Sequence, residues 1–166
     1  VVVGHQAEEA EQAVLAEVRE LASFATQAQQ RGTGDAVESG RGQLEQSNSL
    51  VLVLSGDVPM IKLETLRNFI EHHQASGADC SILSVRLENP TGYGRIIRDA
   101  SGAFQKIVEQ RDANDEQRQV KEINSGIYCF DSTALYRALR GVEPANDQGE
   151  YYLTDVAEIM LRNGGR

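Results

Sequence analysis

One ten-residue run, Leu50-Val51-Leu52-Val53-Leu54-Ser55-Gly56-Asp57-Val58-Pro59, constrains this chain more than any other. Five consecutive apolar residues make a strand packed on both faces, as in a parallel sheet covered by helices. The strand stops at a glycine and delivers one carboxylate, Asp57, to its carboxyl end. In open α/β sheets that edge is where ligands bind. The plain alternative is a turn aspartate that caps the next helix. What decides between them is whether other parts of the chain converge on Asp57.

The first half alternates strands and helices. Val1 to Val3 reads as a strand and Ala7 to about Leu21 as a helix, with Ala10, Val14, Val18 and Leu21 near the helical period. A short strand at Phe24 to Thr26 leads through Gly32-Thr33-Gly34 into a second helix from Asp35 to Leu44. Pro59 precedes a third helix, Leu63 to Ser76, ended by Gly77, and Cys80 to Leu87 is a further strand. This rhythm predicts a doubly wound sheet with right-handed crossovers. The second half is more antiparallel. Tyr93 to Arg98 and Ala103 to Glu109 form a hairpin across Asp99-Ala100-Ser101-Gly102, residues 110–121 form a charged loop, and Glu122 to Phe130 is a strand. Ser132 is expected to cap a helix through Leu139, and a last helix runs to about Leu161. A cleft is expected between the halves, residues 1–88 and 89–166, of one domain.

A length of 166 residues with 40% hydrophobic content supports one real core. The net charge of −9 argues against a nucleic-acid platform, and no apolar run approaches a membrane span. Neither Cys80 and Cys129 nor His5, His72 and His73 show metal-ligand spacing, so buried thiols in a cytoplasmic protein are expected. The chain opens without Met on a strand already under way, which reads as a fragment or a trimmed domain.

Several loops offer chemistry. Around Gln27, Gln30, Gly32 and Thr33, glycines at a helix start bring backbone amides close to a ligand, and the glutamine amides suit a nucleobase edge; a tight turn with polar surface residues explains the same run. Thr91-Gly92-Tyr93-Gly94-Arg95 carries more glycine than a hairpin needs. Glu109 ends a strand where its carboxylate could accept sugar hydroxyls or simply be a solvated strand-end charge, Asn124-Ser125-Gly126 interrupts an apolar strand, and Tyr152 and Thr154 precede a helix that Asp155 could simply cap. With no Ser-His-Asp ordering and no Walker-type loop in this sequence, catalysis by metal and positioning fits better than a covalent nucleophile.

Taken in order, the runs Gln27 to Ala36, Ser55 to Pro59, Pro90 to Ile96, Ile107 to Glu109, Glu122 to Ile127 and Gln148 to Asp155 resemble the uridylyltransferase domain of bacterial N-acetylglucosamine-1-phosphate uridylyltransferases. In many bacteria that domain is one half of a bifunctional, cytoplasmic enzyme with an acetyltransferase β-helix, expected to be a homotrimer. The resemblance implies a Rossmann-like (GT-A-like) mixed sheet flanked by helices, lacking its first strand and Gly-rich loop. It implies that Gln27, Gln30, Gly32, Thr33, Ser55 and Gly56 contact UTP. Asp57 becomes the catalytic carboxylate holding Mg²⁺ (Mn²⁺ being the other candidate), and Gly94, Glu109, Asn124, Tyr152 and Thr154 line the N-acetylglucosamine-1-phosphate pocket. The product would be UDP-N-acetylglucosamine, a cell-wall precursor, with neither nucleic acid nor membrane as partner.

The departures are as informative. The family's phosphate-gripping Arg and Lys, and an Asn that is its second metal ligand, have no counterpart in this sequence, so the 166-residue chain alone is expected to be inactive. Position 35 is Asp where relatives often carry His, which adds negative charge near the nucleotide, and position 55 is Ser where some carry Tyr. Two other readings remain: a non-catalytic nucleotide-sugar binding module, and a nucleotidyltransferase for another sugar-1-phosphate.

Overall fold

Strand β7, Glu122–Asp131, is the spine of the computed structural model, which describes residues 1–58 and 60–166. Pro59, expected to precede the third helix, lies outside the described residues. One edge of β7 is taken along its whole length by β4 (Cys80–Arg86), antiparallel, with a register shift between Ile82 and Ser84. The other edge is shared end to end. Strand β3 (Leu50–Val53) pairs with residues 128–131, and β5 (Arg95–Arg98) begins against Ile123 and carries β6 (Phe104–Val108) on its far side. A separate parallel pair, β1 (Val2–Val3) and β2 (Ala25–Thr26), completes the strands among the described residues.

The mixed α/β architecture therefore matches the sequence reading, while its sheet is in two pieces. Among the described residues the only parallel pairing of strands is β1 with β2, and β3 has an antiparallel strand on one edge and no strand on the other. Both faces of β3 are nonetheless packed, as its apolar run predicts. Val51 and Val53 join a core with Tyr128, Phe130 and the helices α6 (Ser132–Leu139) and α7 (Thr154–Arg162). Leu50 and Leu52 join Ile127, Cys129 and Phe69 of helix α4 (Leu63–Ser76). The alternation along β7 is what separates these two layers, because successive side chains of a strand point to opposite faces.

Local chemistry explains most of the boundaries. Helix α4 stops at Gly77, whose φ of 62° is the left-handed conformation that a C-terminal glycine supplies without steric cost. The helix expected over Asp35 to Leu44 is interrupted at Ser39-Gly40, giving α2 (Thr33–Glu38) and α3 (Arg41–Leu44). The cap of α6 is Asp131, which accepts from Ala134 N at 2.8 Å; Ser132 is the first helical residue, and its buried Oγ accepts from Ser49 N instead. Residues 110–121 are not wholly loop, since Asn114 and Gln117 form a reciprocal capping box that starts α5 (Asp115–Arg118). Helix α1 (Ala7–Val18) forms as expected, yet none of its residues is buried. Cys80 and Cys129 are free, and burial pushes their thiols up to about 12 and about 11. Among the described residues, no helix is long and apolar enough to cross a membrane.

Candidate functional site

The shared edge of β7 creates the site. Between the last β3 pairing, Val53 with Tyr128, and the first β5 pairing, Arg95 with Ile123, the described residues form no ladder pairing on that side of the strand. Gly126 sits in this interval with φ 77°, and a side chain there would meet Ser55 Oγ at 2.6 Å. Ser55 Oγ in turn donates to Gly126 O at 3.1 Å. The glycine that interrupts an apolar strand is thus the point where the chain leaving β3 lies closely against β7. A cavity of about 780 Å³ opens there, bounded by β1, the turn after β2, the end of β3, and the near ends of β6 and β7.

Gln27, Gln30, Thr33, Ser55 and Gly56 line it from the first half of the chain, and Glu109, Asn124 and Thr154 line it from the second. On the first side, Gln27 Nε2 donates to Gly32 O at 3.0 Å and to Asp35 Oδ2 at 2.9 Å, which fixes the amide. Burial opposes the charge on Asp35, but hydrogen bonds from Gln27 and Arg31 and the Arg31 charge hold its carboxyl below the usual range. The extra negative charge expected at position 35 is therefore locally paired. Gly32 and Gly34 bring their backbone close to another part of the same chain. Gly34 N donates to Tyr151 O at 2.8 Å, Tyr151 N donates to Arg31 O at 2.8 Å, and a Cβ on Gly32 would lie 2.6 Å from Tyr151 O. Thr33 Oγ1 accepts from Leu153 N at 3.0 Å, so this glycine turn docks the segment that starts α7.

On the second side Gly94, just before β5, and Glu109, just after β6, come together with Asn124 of β7. Asn124 N donates to Gly94 O at 2.9 Å, and a Cβ on Gly94 would sit 3.2 Å from either Glu109 carboxylate oxygen. Gly94, Glu109 and Asn124 thus form a row across β5, β6 and β7. Burial raises the pKa of Glu109; the Thr154 hydroxyl beside it favours the anion, and Asp112 and Asp155 oppose it. No hydrogen bond of sound geometry reaches Thr154 Oγ1, which is 5% exposed as a residue and is a buried polar atom without a partner. Asn124 is held at both ends of its amide, Nδ2 donating to Tyr128 Oη at 2.6 Å and Oδ1 accepting from Gly126 N at 3.1 Å.

Four of the expected residues are not in the wall of this cavity. Gly32 and Gly94 stand behind it in the roles just described. Tyr152 is half-buried, its hydroxyl pushed up to about 12 by burial and by Asp112, Glu109 and Glu150, and so stays protonated. Asp57 follows the rim residues Ser55 and Gly56 directly, exposed and in a turn. Asp155 does not cap α7; the cap position is Leu153, and Asp155 lies in the first turn with burial raising its pKa. Gly126, flagged by its interruption of an apolar strand, belongs to the wall; so does Tyr128, which was reachable only through strand pairing, since nothing in its own neighbourhood distinguishes it from a core tyrosine. A smaller cavity of about 320 Å³, between β4, β5 and α7, holds none of the expected residues.

Among the described residues there is no group of three or more His, Cys, Asp or Glu able to hold a metal. Magnesium commonly binds through one or two carboxylates, with substrate phosphates and water supplying the rest. Asp57, exposed at the carboxyl end of β3, fits that pattern and not a closed protein cage.

Comparison with known proteins agrees with this geometry at the level of family and fold. A family model described as nucleotidyl transferase matches residues 1–166. The chain is 44% identical over 163 residues to the bifunctional protein GlmU of Enterococcus faecalis (strain ATCC 700802 / V583), covering 98% of this chain and 35% of that protein. It is 45% identical over 163 residues to the bifunctional protein GlmU of Geobacillus sp. (strain WCH70), with the same coverage. The chain thus spans about a third of the length of these relatives. Among solved structures, a UDP-glucose pyrophosphorylase complexed with UDP-glucose superposes with a TM-score of 0.66 at 16% identity, covering 95% of this chain and 62% of that one. An apo UDP-glucose pyrophosphorylase gives 0.70 at 15% identity, covering 99% and 69%.

Proposed function

The chain belongs to the nucleotidyl transferase family, and from that premise we propose that it forms the substrate-binding part of a cytoplasmic uridylyltransferase making UDP-N-acetylglucosamine. One observation carries the reading. Polar side chains from both halves, Gln27, Gln30 and Thr33 on one side and Glu109, Asn124 and Thr154 on the other, meet in a single cavity. A cavity on which a few polar side chains converge favours a small ligand with hydroxyls or amides to offer. Residues 1–88 take the uridine nucleotide and residues 89–166 the sugar phosphate.

In this reading a phosphate oxygen of N-acetylglucosamine-1-phosphate attacks the α-phosphorus of UTP. The new P–O bond forms as the bond to the β-phosphate breaks, and pyrophosphate leaves. Glu109 and Asn124 fix the sugar through its hydroxyl and amide groups, and the glutamine amides fix the uracil, so the reacting oxygens meet in line. Asp57 would hold Mg²⁺, which supplies charge neutralisation at the phosphates when bound. The GlmU names of the relatives and the nucleotide sugar in the superposed structure both lean towards this class.

Calorimetric titration of the 166-residue chain with UDP-N-acetylglucosamine, UDP-glucose and an adenine sugar nucleotide tests it. Preference for UDP-N-acetylglucosamine is expected; equal or absent binding overturns the assignment, and preference for UDP-glucose moves it to another sugar. Pyrophosphate release by the complete gene product, lost by at least about tenfold in Asp57→Ala, separates an enzyme from a binding module.

A further inference from the structure

Arg95 is 1% exposed, and among the described residues it has no carboxylate partner. Burying a guanidinium without a counter-charge is expensive. What the charge secures is a set of neutral acceptors: Nη1 donates to Tyr93 O, and Nη2 donates to Gln110 Oε1 at 2.7 Å. The same Gln110 oxygen accepts from Gly92 N at 3.2 Å, so one side chain ties the turn before β5 to the residue after Glu109. The register makes the consequence specific. Arg95 pairs with Val108 on one side and Ile123 on the other. The next row out along the three strands is Gly94, Glu109 and Asn124.

We propose that Arg95 is a positioning residue whose buried guanidinium clamps the Gly92–Gly94 turn to the end of β6 and so holds Gly94, Glu109 and Asn124 in one row. That this row faces a sugar rests on the function proposed above; the clamp itself does not. It sets the distance between the Gly94 backbone and the Glu109 carboxylate, and a slack turn would let that carboxylate swing.

The test compares the wild-type chain with Arg95→Met and with Gln110→Leu, which cuts the other end of the clamp should the first variant fail to fold. Amide hydrogen exchange followed by NMR is expected to quicken about tenfold at Gly92 and Asn124 in both variants, the size of about one net hydrogen bond. Tyr128 and Phe130, further along the same strand, keep their wild-type rates. Unchanged exchange at Gly92 and Asn124, or acceleration spread evenly through β7, overturns the proposal. Titration adds a readout that a general loss of structure would not give: about tenfold weaker binding of UDP-N-acetylglucosamine with UMP binding unchanged. Equal weakening of both ligands counts against the clamp. The localised exchange pattern in a chain that binds neither ligand upholds the clamp and removes the sugar assignment instead.

Discussion

The Glu109 carboxyl, set between Gly94 and the start of α7, is held above the ordinary glutamate range, first by desolvation and then by Asp112 and Asp155. A carboxyl whose pKa is higher folded than unfolded costs nothing while both states are protonated, and costs stability in full once the pH passes the folded value. Glu109→Gln is therefore expected to raise Tm at about pH 8 and to change little at about pH 4; a lower Tm at the higher pH would contradict the burial. Glu122 has the opposite sign. Its carboxylate accepts from Arg98 Nε and Nη2 and from Ser84 Oγ, and the Arg98 hydrogen bonds hold it down to about 2. Its stabilisation is present above the ordinary carboxyl range and drains away as the pH falls towards about 2. Arg98 is partly exposed, so Glu122→Gln is expected to cost only about 1 kcal/mol near neutrality, measured by urea unfolding, with the difference gone in strong acid.

Two glycines separate what a turn needs from what a close approach of two chain segments needs. At Gly77 the φ is 62° and nothing stands within 4 Å of a would-be Cβ, so Gly77→Ala pays the backbone cost alone, about 1 kcal/mol. Gly126→Ala meets both a φ of 77° and Ser55 Oγ at 2.6 Å, and should cost about 2–3 kcal/mol. Adding Ser55→Ala is expected to return part of that loss and not the part due to φ, which a double-mutant cycle in denaturant reads directly. These elements also mark how far sequence can be read. The α4 boundaries, the 99–102 hairpin and the apolar β3 run carry local signals, namely helical period, turn residues and a C-terminal glycine; the first two formed as expected, while β3 formed as a four-residue strand with an antiparallel partner that leaves Leu54 exposed. The cavity-lining residues of the Gln27 run were visible from glycines at a helix start, and those of the Glu109 and Asn124 runs from polar groups at the end or in the middle of apolar strands. The end-to-end sharing of β7 by β3 and β5 was not visible, because pairing partners far apart in sequence leave no local mark. Tyr128, Gly32's docking against Tyr151 and the Arg95 clamp went unread for the same reason.

For the molecule as a whole, the decisive feature is that β1 and β3 face the same cavity from two different sheets, neither with a strand on that edge among the described residues. Open edges carrying Val2, Val51 and Val53 are templates for strand addition. Sedimentation of the chain is expected to show self-association that grows with concentration, and Val2→Lys, placing a charge on the exposed β1 edge, is expected to reduce it. Concentration-independent monomer in the wild type would refute this. On the function proposed above, strand addition and ligand binding would compete for the same opening. Crowding the protein should look, in any ligand titration, like a competitive inhibitor that the protein itself supplies.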